Sequence, residues 1–210
     1  MIIIGEKING SIPIVAEAIA KRDSEFIKAR AKLQAESGAT YIDCCASVPE
    51  AEEVETLKWM IDCIQEVTDL PISIDSPSPD VLAQAYKFCK KPGIFNSVSG
   101  EGHKIDTIFP IMAEPGNEGW QVIALLSDNT GIPKCAADRL KVFDKIMAKA
   151  KEYGLFRTGF TLIRWLRCFV LLRMVLQRIL RRSQVYVSSI RPFILRQQSV
   201  IFPLICRFVS

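Results

Sequence analysis

Short apolar runs of strand length recur at 2–5, 40–45, 71–75, 93–96 and 121–127, and a longer amphipathic stretch separates each from the next. Helix spacing is found over 24–37, with Ser24 as N-cap, over 50–68, over 78–89, with Pro79 at the first helical position, over 103–113, and over 133–153, closed by Gly154. Runs this short and this uniformly apolar suit strands buried on both faces, which belong to parallel sheets with helical crossovers. The pattern predicts an α/β fold of five βα units, with a sixth strand due shortly after Gly154. A complete (β/α)8 TIM barrel takes roughly 250 residues, so in a chain of 210 residues a barrel is expected to be partial.

The expected sixth unit does not follow. Residues 156–210 hold ten Arg and no Lys, Asp or Glu, whereas residues 1–155 carry 17 basic and 23 acidic residues, with Lys outnumbering Arg 14 to 3. Two such compositions do not belong to one folded unit, which divides the chain into a barrel part at 1–155 and a non-native Arg-rich tail at 156–210. The apolar stretch 160–176 contains Arg164, Arg167 and Arg173, each costing roughly 2.5–3.5 kcal/mol at a bilayer centre, so it is no transmembrane span. Charge with no groove-reading motif and little aromatic interleaving argues against nucleic acid as a partner.

Glu6, Asp43, Asp75, Asn96 and Asn129 fall at the C-terminal ends of successive strands or in the loops after them, and Asn9 lies in the first such loop. In a barrel this is one rim, where active sites of the fold sit. Carboxylates and amides suit a flat heterocycle edge that alternates N–H donors with carbonyl acceptors. Asp75 is alternatively an N-cap for the following helix, Asn96 and Asn9 turn residues, and Asp43 and Glu6 partners of loop backbone.

The string Ile3-Ile4-Gly5-Glu6-Lys7-Ile8-Asn9-Gly10, followed in order by Tyr41-Ile42-Asp43, Ile74-Asp75-Ser76, Asn96-Ser97 and Asn129-Thr130-Gly131-Ile132-Pro133, resembles the pterin-binding methyltetrahydrofolate:corrinoid protein methyltransferases, which include the folate domain of cobalamin-dependent methionine synthase. The resemblance covers about three quarters of the chain. It implies a dihydropteroate synthase-like barrel, and methyl transfer from N5 of methyltetrahydrofolate to Co(I) of a corrinoid (cobalamin) carried by a partner protein. It also implies pterin binding by Asp75 and Asn96, and a possible homodimer through the barrel. Asp43, Glu6, Asn9 and Asn129 complete the candidate pterin-binding set. Relatives often carry an Asn two places after the strand-two Asp, where this chain has Cys45.

The family's sixth strand supplies a pterin-binding Asp and its seventh a catalytic Asn, and neither is present here. The genetic code offers a reason. Phe160 to Trp165 can be encoded TTT ACA TTG ATC CGC TGG, which read one base earlier gives Ile-Tyr-Ile-Asp-Pro-Leu. Residues 193–203 similarly permit Ile-His-Ile-Thr-Ala-Ala-Val-Ser-Asn-Ile-Ser with the same offset. Both strings resemble the missing motifs, in the right order. A frameshift near Leu155 or Phe156 is therefore expected, leaving no catalytic residue retained and an impaired or inactive chain whose fifth strand has an uncovered edge.

Two other functions remain to be separated. A dihydropteroate synthase-like pterin enzyme would need basic pyrophosphate-binding residues on late strands. A non-enzymatic chain would use its basic tail on a membrane or nucleic acid. The seven cysteines show no C-x-x-C or metal-ligand spacing, and no secretory signal precedes Met1-Ile2-Ile3-Ile4, which points to a reducing cytoplasm and no bound metal. Cys44 and Cys45 are expected to be buried apolar residues, and His103, the single histidine, to play no part as a base.

Overall fold

A computed structural model describes residues 2–155 and the strand Phe160–Ile163. Six strands, β1 (Ile4–Gly5), β2 (Tyr41–Cys45), β3 (Ile72–Asp75), β4 (Ile94–Gly100), β5 (Gln121–Asp128) and β6 (Phe160–Ile163), form one parallel sheet in sequential order. Helices α1 (Pro13–Ala20) and α2 (Ser24–Glu36) link β1 to β2, and α3 (Glu50–Val67) links β2 to β3. Helix α4 (Pro79–Ala85), with a 3-10 turn at Tyr86–Phe88, then α5 (Lys104–Ala113) and α6 (Ala136–Glu152) serve the later crossovers. The sequential order with a helix after every strand is that of a (β/α)8 barrel, open here because among the described residues nothing pairs β1 with β6.

The five expected βα units are all present, with four corrections. The first crossover contains a helix, α1, that the spacing did not announce. Its eight residues are mostly apolar and its N-cap, Ile12, makes no side-chain cap bond, so it carries neither a clear stripe nor a start signal. The cap of α2 is Asp23, whose carboxylate accepts from Phe26 N at 3.1 Å, rather than Ser24. Strand β4 runs on past Asn96 to Gly100 through two register shifts, a bulge that lengthens the strand at the rim. Finally, β5 does not end the sheet. Phe160–Ile163 pairs with it in parallel, Val122 opposite Phe160 and Leu125 opposite Ile163. A bare parallel edge needs only a β-prone run to satisfy its N–H and C=O groups, and Phe-Thr-Leu-Ile is one whatever its origin. The rest of the Arg-rich tail lies outside the described residues.

Parallel partners share a face, so the register sorts the side chains. Ile42, Cys44, Ile74 and Phe95 lie on the outer face, beneath the helices. There Phe95, Tyr86 and Trp120 form a cluster of three rings with centroids 4.6–5.7 Å apart. Tyr41, Asp43, Ser73, Asp75, Asn96 and Gln121 take the inner face. Near the N-terminal ends of the strands, Gln121 Nε2 donates to Tyr41 Oη at 3.0 Å, joining β5 to β2 across the interior.

Candidate pterin site

The inner face becomes polar toward the C-terminal ends of β2, β3 and β4, and the register assembles it. Asp43 pairs with Ser73, Cys45 with Asp75, and Asp75 with Asn96. Asp43 is 2% exposed, and its Oδ1 accepts from Ser73 Oγ at 2.7 Å and from Asn96 Nδ2 at 3.2 Å. Burial first, and then the negative charge of Asp75, push the Asp43 carboxyl up to about 7, against the two hydrogen bonds that favour its ionised form. Asp75 and Asn96 stand above it, half-buried and open toward the rim. Burial raises Asp75 as well, opposed by a hydrogen bond from the Cys45 thiol.

Glu6 lies on the open rim after β1. Partial loss of water and then the Asp75 charge raise its carboxyl, while Lys7 lowers it. Asp43, Asp75 and Glu6 thus form one interacting acidic group. The loop carrying Glu6 is docked on the end of β2 by Cys45 N to Ile8 O at 3.1 Å and Gly10 N to Cys45 O at 2.9 Å. The approach requires glycine, since a Cβ at Gly10 would lie 2.0 Å from Ala46 O. Asn9 is used in this turn, its Oδ1 accepting from Ser11 N at 2.9 Å. Asn129 is exposed, and its Oδ1 accepts from Gly102 N at 2.8 Å, tying the loop after β5 to the loop after β4.

The structure therefore brings Asp43, Asp75, Asn96 and Glu6 together and places Asn9 and Asn129 in the loops that frame them. Asp75 is no helix cap: the α4 N-cap is Ser78, whose backbone N–H is met by Ser76 Oγ at 3.1 Å. Three participants were not anticipated. Ser73 is a mid-strand serine whose role depends on register. Cys45 is buried as expected but on the polar face, with Ser47 Oγ 3.3 Å from its sulfur and its thiol raised to about 12, chiefly by burial and then by Asp75. Glu101, just past β4, is held low by a hydrogen bond from Ser127 and by Lys104. Cys44 lies on the outer face and is wholly buried, and His103 is exposed 3.4 Å from Asp80.

An incomplete parallel barrel whose polar layer of carboxylates and an amide sits at the C-terminal strand ends defines the class, and the chain belongs to the pterin binding enzyme family, whose sequence pattern matches residues 14–153. Within it, the chain is 46% identical over 155 residues to a methylcorrinoid:tetrahydrofolate methyltransferase of Eubacterium limosum, covering 74% of this chain and 57% of that one. The chain thus spans little more than half the length of that relative. Its fold is similar to that of a dihydropteroate synthase from Xanthomonas albilineans, solved in complex with 7,8-dihydropteroate. The TM-score is 0.51 at 20% identity, over 73% of this chain and 55% of the other. The expected resemblance to folate- and corrinoid-dependent methyltransferases is borne out by the first relative, and the partial barrel by the second. No helix among the described residues is long and apolar enough to cross a membrane.

Proposed function

We propose that this chain carries the pterin-binding half of an enzyme that moves a methyl group between N5 of tetrahydrofolate and the corrinoid of a partner protein. The observation that carries the reading is the adjacent pair Asp75 and Asn96, opposite each other in register where β3 ends. A carboxylate beside an amide carbonyl offers acceptors for the ring N–H and amino groups of a reduced pterin. Asp75 and Asn96 take the pterin edge, with Glu6 on the same rim. Asn129 and Asn9 border the pterin from their loops, and Asp43 serves from beneath.

The tertiary amine at N5 is a poor leaving group, so the C–N bond breaks with a proton or strong hydrogen bond at N5. The family resemblance implies methyl leaving the folate, whereas the relative is named for a methylcorrinoid donor and a tetrahydrofolate acceptor. One site that stabilises the shared transition state serves both directions. The 46% identity favours methyl transfer over a dihydropteroate synthase-like reaction, for which the structural likeness supports fold alone.

The in-frame part of the barrel ends near residue 155, and the chain beyond it, although its residues 160–163 pair with β5, is read out of frame. The end of the family match at residue 153 supports this, as do the composition break and the neighbouring-frame motifs. The positions spanning Leu162/Ile163 and Val200/Ile201 would then have carried the missing Asp and Asn. The test is to sequence the coding DNA downstream of Gly154, restore the frame by one base, and assay both chains with tetrahydrofolate and methylcobalamin. Turnover by the restored chain only is expected; equal turnover by both, or a sequence in which no one-base shift recovers the two motifs, overturns the reading.

A further inference from the structure

The Asn96 amide could present either its carbonyl or its NH2 to a ligand, and these read opposite edges of a heterocycle. An ionised carboxylate only accepts hydrogen bonds, so Asp43 dictates that Asn96 turns Nδ2 inward, 3.2 Å from Oδ1. Ser73 donates to the same oxygen at 2.7 Å and is wholly buried, which holds that carboxylate oxygen in place from the neighbouring strand. The three residues come from three successive strands, and register aligns them: Asp43 is opposite Ser73, and Asn96 is opposite Asp75, two residues beyond Ser73. Among the described residues no donor meets Asn96 Oδ1, which leaves it for the open side of the site.

We infer that Ser73 and Asp43 are positioning residues that lock the Asn96 amide with its carbonyl toward the ligand, so that the site accepts an N–H donor edge and rejects the reversed pattern. The inference rests on the pterin reading of this site. Asp43 is then not a pterin contact but acts through Asn96, and Ser73 acts through Asp43. A ligand that offers an acceptor where tetrahydrofolate offers its N–H meets carbonyl against carbonyl and is excluded.

The test uses the full chain at pH 8.5 with 15N-labelled asparagine, comparing the native protein with Asp43→Asn, Ser73→Ala and Ser73→Thr. In the native protein the Asn96 side-chain NH2 gives one pair of resonances with one proton shifted downfield by the carboxylate. In Asp43→Asn, whose own amide can turn either way, that shift collapses. In Ser73→Ala it weakens, and Ser73→Thr, which keeps the hydroxyl, restores it. Tetrahydrofolate affinity in the same samples falls about tenfold in Asp43→Asn, the loss expected for one misdirected buried hydrogen bond. Unchanged Asn96 resonances in a folded Asp43→Asn chain overturn the inference, as does unchanged affinity. Native protein that shows the downfield shift but binds no tetrahydrofolate instead refutes the pterin reading, and with it the purpose assigned to the lock, while leaving the orientation itself demonstrated.

Discussion

Asp43 shows what a single buried carboxylate does to this fold. Its carboxyl is raised from 3.8 to about 7, so the native state holds a proton that the unfolded chain has already released. Between those values the unfolded state binds fewer protons, and stability contributed by this group falls as pH rises. Asp75 and Glu6, the acidic groups facing it, are raised in the same direction. Thermal unfolding of Asp43→Asn compared with the native chain should therefore show the variant gaining relative stability from pH 4 to pH 7; a constant difference across that range would contradict it. A second residue-scale prediction concerns Gly10, where a Cβ would meet the Ala46 carbonyl at 2.0 Å. Because the obstacle is backbone, Gly10→Ala should cost at least about 2 kcal/mol in denaturant unfolding. Asp75 and Asn96 were legible in the sequence because each is a polar residue closing an apolar run, although only Asp75 ends its strand and β4 continues past Asn96. Ser73 and Cys45 were not, because their roles depend on which strand lies alongside and in which register, and no local spacing carries that.

At the scale of elements, the boundaries follow local chemistry more closely than periodicity suggests. The α2 cap belongs to Asp23, so Asp23→Ala should lower stability by about 1 kcal/mol while Ser24→Ala stays within about 0.5 kcal/mol. Strands β2, β3 and β5 were readable to within a residue or so because a buried parallel strand is a plain apolar run. Helix α1 was missed because a short, nearly uniform apolar segment after Pro13 has no stripe to detect. Extension of β4 through a bulge was invisible for a related reason: Ser97, Ser99 and Gly100 look like a turn, and only the pairing of Val98 with Ala124 and of Gly100 with Asp128 on β5 keeps them in the sheet. The outer-face ring cluster ties these elements together. Phe95, fully buried between Tyr86 and Trp120, should cost about 3–5 kcal/mol when replaced by Ala.

The whole molecule joins a coherent barrel segment to a tail of different composition. Six strands of a barrel do not close, and closure is what removes sheet edges. Where the tail does enter the described sheet, at Phe160–Ile163, it occupies the place of a sixth strand without the Asp expected there. A β-prone run can thus fill a strand's position, whereas the chemistry of a rim depends on the identity of one or two residues along it. On the proposed reading, pterin binding by Asp75 and Asn96 should survive in this chain while methyl transfer is lost. Isothermal titration of tetrahydrofolate into the full chain and into its Asp75→Ala variant tests this most directly. Saturable binding to the native chain, weakened at least about tenfold in the variant, is expected; no binding to a folded native chain, or equal binding to both, would contradict the pterin assignment.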